Sequence, residues 1–267
     1  MLPDEGRRLR LRFTKAGKIR FTSHRDVARM WERALRRSRL PVAYSQGFAP
    51  HPLVSFGLAL PTGCESHGEY LDVHLGPAAP EEIPAARLPG TLTSLLPAGI
   101  DVTGAALVDK AEGSLQQEVA SCDWELEVLG VPGEELKERV DETLAAPILM
   151  VRRERKGRQV EDDIRPAILA LSVTSPNGHL RAELATHPRG VRPVDLLAAL
   201  GTGTVPGRAC RTHQWIERNG ARFEPLPVSE PGTGADATQH ARRDFPHVRD
   251  GNQPDPGGSP PGGSGER

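Results

Sequence analysis

Cysteine is scarce in this chain: Cys64, Cys122 and Cys210 lie far apart and no CxxC pair occurs. That excludes a zinc ribbon and a thioredoxin-type redox motif, which need paired cysteines. It equally excludes the three closely spaced thiolates that hold an iron–sulfur cluster. Aromatic residues make up only 4% of the sequence, so any core is mostly aliphatic. No apolar run approaches the length of a membrane-spanning helix. The opening MLPDEGRRLRLRF lacks the apolar stretch of a secretion signal, so a cytoplasmic location is expected. A phosphate-binding glycine loop and a convincing catalytic triad are also missing. No catalytic residue, metal or cofactor is assigned from the residues.

Glycine (28) and proline (25) are abundant among the 267 residues. From Pro225 the chain is dominated by Pro, Gly, Ser and Asp, ending in GNQPDPGGSPPGGSGER. Such a segment buries too little apolar surface to offset its ordering entropy, so 225–267 is expected to be a disordered tail. The net charge of −1 conceals a strong asymmetry. Residues 1–60 carry 13 basic and 4 acidic side chains, and residues 61–150 carry 4 and 17. Residues 151–224 return to 13 basic and 8 acidic. Basic excess at two places is the footprint of a polyanion-binding surface. The competing reading is that the acidic middle neutralises the basic segments internally.

The stretch RLRLRFT alternates Leu9, Leu11 and Phe13 with Arg8, Arg10 and Arg12, which predicts a strand with one buried and one Arg-lined face. Ser23 is placed to cap a helix running to about Arg39, with Asp26 three residues on. Val27, Met30, Trp31, Ala34 and Leu35 form its apolar stripe. Arg25, Arg29, Arg33 and Arg36 or Arg37 recur at three- and four-residue spacing and stack into a basic ridge opposite that stripe. Strands are expected at 42–45, 53–60, 69–75 and 100–108, with short helical pieces at 80–88 and 92–96. That order of strand, helix, strand, strand, helix, strand is ferredoxin-like. A linker near 111–114 leads to strands at 123–129, 148–153, 164–174, 179–186 and 210–216. Helices are read at 133–145 and 193–200. The expectation is therefore an α+β chain of two packed ferredoxin-like units, 1–110 and 111–224, followed by the tail.

The run from Lys18 to Leu75 resembles the radical-SAM-associated domain family, a bacterial family without an established activity. Phe21, Ser23-His24, Asp26, Arg36-Arg37, Tyr44-Ser45-Gln46-Gly47-Phe48 and Pro50-His51-Pro52 carry the likeness. Pro61, Gly63, Glu65-Ser66 and Glu69-Tyr70-Leu71-Asp72 complete it, with a weaker part at Asp163-Ile164-Arg165-Pro166 and Arg192-Pro193. The likeness covers roughly residues 8–218. Cys64 stands where an aliphatic residue is expected. The resemblance implies a free-standing module encoded beside a ribonuclease of the E/G type, or working with a radical SAM enzyme. It implies no catalytic residues.

Four candidate sites follow. The Arg ridge offers guanidinium forks suited to phosphate oxygens, and RNA (tRNA or rRNA) is the expected partner. A second basic arm is expected at the hairpin tip of Arg152, Arg153, Arg155 and Lys156. Ser23, His24, Ser45 and His51 form a loop corner of unknown role: the histidines either act as acid and base or hold the loop backbone together. Glu65, Glu69 and Asp72, interleaved with His67 and His74, are weak metal ligands because Glu69 and Asp72 face opposite sides of one strand. The leading expectation is a non-catalytic RNA-associated module. A metal-independent endoribonuclease resembling CRISPR repeat-processing enzymes is one alternative, and a protein-interaction subunit docking through 61–150 is the other.

Overall fold

A computed structural model describes residues 7–81, 83–108, 112–155, 157–201 and 203–226. The expected tail beyond 226 lies outside the described residues. No helix among the described residues is long and apolar enough to cross a membrane.

The first strand, β1 (Arg8–Lys15), turns Leu9, Leu11 and Phe13 onto helix α1 (His24–Arg37). Ser23 caps α1 as expected, its Oγ accepting from the Asp26 N–H at 3.2 Å. The helix stops at Arg37 rather than Arg39. Arg39 takes a left-handed φ of 60°, and Leu40 precedes Pro41, where helical geometry is disfavoured. Trp31 is fully buried with its ring edge-on to Phe13 at 5.0 Å. The expected strands at 42–45 and 53–60 shrink to isolated bridges, Val42 to Leu75 and Tyr44 to Pro52, plus a short β2 (Val54–Phe56). Pro50 and Pro52 have no N–H to donate, so the pairing around them stays limited to isolated bridges.

After β3 (Glu65–His74), α2 (Leu88–Thr93) and β4 (Val102–Val108) complete the first half. The second half runs α3 (Leu115–Glu118), β5 (Val119–Leu129), α4 (Gly133–Ala145), β6 (Met150–Arg155), β7 (Arg158–Asp163), β8 (Ile168–Ser175) and β9 (His179–Ala185). It ends with α5 (Pro193–Ala199), β10 (Val205–Arg218) and β11 (Ala221–Phe223).

The product is an α+β fold around one large, mostly antiparallel sheet ordered β4-β1-β3-β10-β5-β9-β8. Strand β2 adds to β3, β11 adds to β10, and β6–β7 form a separate hairpin. Two hydrophobic clusters flank the junction. One gathers Leu9, Leu11, Trp31, Leu71 and Val73, and the other Trp124, Leu126, Leu136, Leu180 and Leu196.

The junction itself is polar. Strands β3 and β10 pair in parallel at only two positions, Glu65 with Cys210 and Ser66 with Arg211. Side chains extend this short seam. Ser66 Oγ donates to the Arg211 carbonyl at 3.1 Å, and Gln214 Nε2 donates to the Gly68 carbonyl at 2.6 Å. Arg211 forks onto Glu69 through bonds of 3.0, 2.7 and 2.8 Å and also reaches the Leu58 carbonyl at 2.9 Å.

Candidate nucleic-acid interface

Helix α1 has five arginines against two carboxylates, Asp26 and Glu32. Helical geometry of about 100° per residue puts Arg29 about 40°, Arg33 about 80° and Arg36 about 20° from Arg25 around the axis. The buried side chains Val27, Trp31, Ala34 and Leu35 occupy the opposite arc, so folding the apolar stripe inward forces the arginines outward. All five are exposed. Arg29 lies 3.6 Å from Asp26, a pair about half exposed on both sides and so weak. Arg36 donates to the Pro50 carbonyl at 3.0 Å. Arg25, Arg33 and Arg37 have no partner among the described residues. The array spans about 18 Å from Arg25 to Arg37.

The acidic middle segment meets other arginines. Asp72 binds Arg8 at 3.3 Å and Arg10 at 2.8 Å. Glu69 binds Arg211, while Glu65 binds Arg20 at 3.0 Å together with Arg208. Burial alone would raise the Glu65 carboxyl, but Arg208, the Gly17 N–H and Arg20 outweigh it and hold it at about 2. Glu112 reaches Arg10, and Glu118 reaches Arg218 at 2.7 Å. Among the described residues, internal neutralisation therefore falls on Arg20, β1 and β10 and not on α1.

This corrects the expected Arg-lined face of β1. Arg10 is 0% and Arg12 5% exposed. Strand β1 is central, between β3 and β4, and the stretch after β11 crosses its second face. Arg12 reaches Glu224, Arg10 reaches the Pro225 carbonyl, and the Tyr70 hydroxyl donates to Glu224 and to the Leu226 carbonyl. Pro225 and Leu226, assigned to the tail by composition, thus lie against the sheet.

The hairpin arm is divided. Arg152 is 82% exposed and pairs with Glu161 at 2.8 Å across the β6–β7 ladder. Arg153 is turned inward onto Asp162 at 2.6 Å and Asp195 at 3.4 Å, which fastens the hairpin to α5. Adjacent residues on a strand point to opposite faces, so only one of these two can face solvent. Arg155 ends β6 by its backbone, and Lys156 lies outside the described residues.

The loop corner separates into two parts. His24 packs edge-on against Phe56 at 4.9 Å, near Lys15, whose ammonium donates to the Arg20 and Thr22 carbonyls. Burial lowers the Lys15 pKa, against the pull of Glu69. The cavity that His24, Lys15, Glu69 and Tyr70 help to line is only about 20 Å³, room for a single water molecule. His51 instead shares a hydrogen bond of 2.9 Å with Ser45 Oγ, and its N–H donates to the same oxygen at 3.1 Å. Among the described residues no hydrogen bond or ring contact joins His24 to His51 or Ser23 to Ser45. Ser23 serves α1 as its cap.

One feature escaped the residue pattern. Phe48, inside the proline-rich loop, is completely exposed at 112%. An isolated aromatic in a polar stretch carries no periodic signal, and only the loop's path shows where it points.

These placements define the class: an α+β protein with a helix-borne array of exposed arginines and an aromatic loop beside it. The chain belongs to a family described as uncharacterised proteins conserved in bacteria, DUF2344, which it matches over residues 8–193. No curated protein matches the chain.

Proposed function

We propose that this protein is a non-catalytic, cytoplasmic RNA-associated module assisting an RNA-processing or RNA-modifying enzyme. The one observation that carries the reading is the row of exposed arginines on α1, with Arg25, Arg33 and Arg37 unpaired among the described residues while Glu65, Glu69 and Asp72 of the acidic segment pair with arginines outside this helix. Free guanidinium groups at helical spacing are what phosphate contact requires. Arg152 adds a second, smaller exposed cation. The resemblance to the radical-SAM-associated domain family names the enzyme partner in this reading: a radical SAM enzyme or a ribonuclease of the E/G type.

The fold reading belongs with it. The first half has the strand order β4-β1-β3-β2, and the second β10-β5-β9-β8, with antiparallel neighbours in each. Taken as strand–helix–strand–strand–helix–strand, with β6–β7 as an inserted hairpin, each half supports a ferredoxin-like unit. The units would meet at the polar β3–β10 seam.

Electrophoretic mobility shift with tRNA and rRNA tests the function. A retarded complex at low salt, lost in an Arg25→Glu/Arg29→Glu/Arg33→Glu variant, is the expected result. No retarded band at low salt would overturn it.

A further inference from the structure

The loop carrying Phe48 is built to hold an aromatic ring in water. Ser45 donates its N–H to the His51 carbonyl at 2.9 Å, and the Ser45 hydroxyl is bonded to the His51 N–H and ring, closing the loop at its base. Below it, Leu53 donates to the Ala43 carbonyl at 2.8 Å and Ala43 to the His74 carbonyl at 2.8 Å, tying both stems to the sheet. Pro50 and Pro52 fix two backbone angles, and Gly47 makes the turn at φ +123° with open space around it. A stiff loop presents its tip without paying ordering entropy on contact. Yet burying a phenylalanine is among the larger stabilising terms a side chain can supply, and here it is forgone.

The surroundings indicate the occupant. Arg36 grips the Pro50 carbonyl, so the tip sits at the C-terminal end of the arginine array. Phe48 lies two positions before Pro50, at most about 7 Å of chain. The exposed Arg33 and Arg37 lie within one turn of Arg36. Cations that follow a phosphate backbone, ending at an accessible ring, match single-stranded nucleic acid: phosphates on the guanidinium groups and an unstacked base on the ring. A duplex keeps its bases stacked inside and offers the ring nothing.

We infer that Phe48 is a base-stacking residue, and that the α1 face with its Phe48 loop takes single-stranded RNA in preference to duplex. This inference rests on the proposed RNA-associated function and narrows it to a substrate class.

Fluorescence anisotropy on the full chain tests it, with a labelled single-stranded RNA of about twelve nucleotides and the same strand annealed to its complement. Phe48→Ala is expected to weaken single-strand binding by about fivefold to a hundredfold, the range of one base–aromatic contact. Duplex binding and the slope of affinity against salt should stay unchanged, because no phosphate contact is removed. Phe48→Trp should restore single-strand affinity. Arg25→Glu/Arg29→Glu/Arg33→Glu should weaken both RNAs and flatten the salt slope. Phe48 is fully exposed, so circular dichroism melts of the Phe48 variants should match wild type. Unchanged single-strand affinity in Phe48→Ala, beside a loss in the arginine variant, overturns this inference and leaves the proposed function standing. Equal losses on both RNAs in Phe48→Ala also overturn it. Failure of the wild type to bind either RNA overturns the proposed function itself, and the inference with it.

Discussion

Replacing Arg211 with methionine is expected to lower the free energy of unfolding by about 3–5 kcal/mol, the usual cost of stranding one member of a buried ion pair. The side chains of Arg211 and Glu69 are only 3% and 9% exposed, so neither charge can recover its hydration when the other is removed. The pair is well made. Three bonds of 2.7–3.0 Å join the guanidinium to the carboxylate, a further bond reaches the Leu58 carbonyl, and the guanidinium lies 5.6 Å from the Trp124 ring. It also bridges the two halves where the backbone ladder has only two pairs. Glu69→Leu alone should cost a similar amount by leaving the arginine uncompensated. The double variant Glu69→Leu/Arg211→Met removes both charges and keeps the volume, so it should lie within about 2 kcal/mol of wild type. Equilibrium urea unfolding of the four proteins closes the cycle, with an expected coupling above about 2 kcal/mol. The reasoning fails if either single variant loses less than about 1 kcal/mol, or if the two losses simply add.

Glu65 is held at about 2 against an ordinary 4.5, so its contribution is complete above pH 4.5 and is lost as pH falls toward 2. The difference corresponds to about 3 kcal/mol, reduced toward about 2 because Arg208 is 68% exposed. Glu65→Gln should therefore flatten the acid limb of stability in pH-dependent urea melts; an unchanged limb would count against the Arg20–Glu65–Arg208 cluster. Gly178 has a φ of +83°, and an added Cβ would meet the Val128 carbonyl at 2.2 Å. Gly178→Ala should lose more than about 2 kcal/mol by left-handed strain and this clash, and a melting temperature equal to wild type would refute the turn geometry. Burial pushes the Cys122 thiol up to about 11 and, with Glu65 and Glu125 nearby, that of Cys210 up to about 12. Both should resist iodoacetamide at mildly alkaline pH until the protein is unfolded, since the thiolate is the nucleophile. Rapid labelling of native protein, read by mass spectrometry, would contradict that.

The parts legible in the sequence are those governed by local periodicity. The alternation of Leu9, Leu11 and Phe13 marks β1, and the Val27, Trp31, Ala34 and Leu35 stripe orients α1 so that Arg25, Arg29 and Arg33 must face away from the core. Ser23 announces the helix start by the chemistry of its own hydroxyl. Pro176-Asn177-Gly178 marks the turn at which β8 and β9 reverse. Tertiary structure decided what lies on the far side of each element. Arg10 and Arg25 are the same residue type in equally basic surroundings, yet one is sealed between Asp72 and Glu112 and the other is open. The difference comes from β3 and from chain more than a hundred residues downstream, which no local pattern encodes. Arg152 and Arg153 part in the same way, because a strand alternates its faces and only the packing of α5 chooses which face is covered. The parallel β3–β10 seam joins segments some 145 residues apart through Ser66 and Arg211, so it follows from pairing in space and not from spacing along the chain.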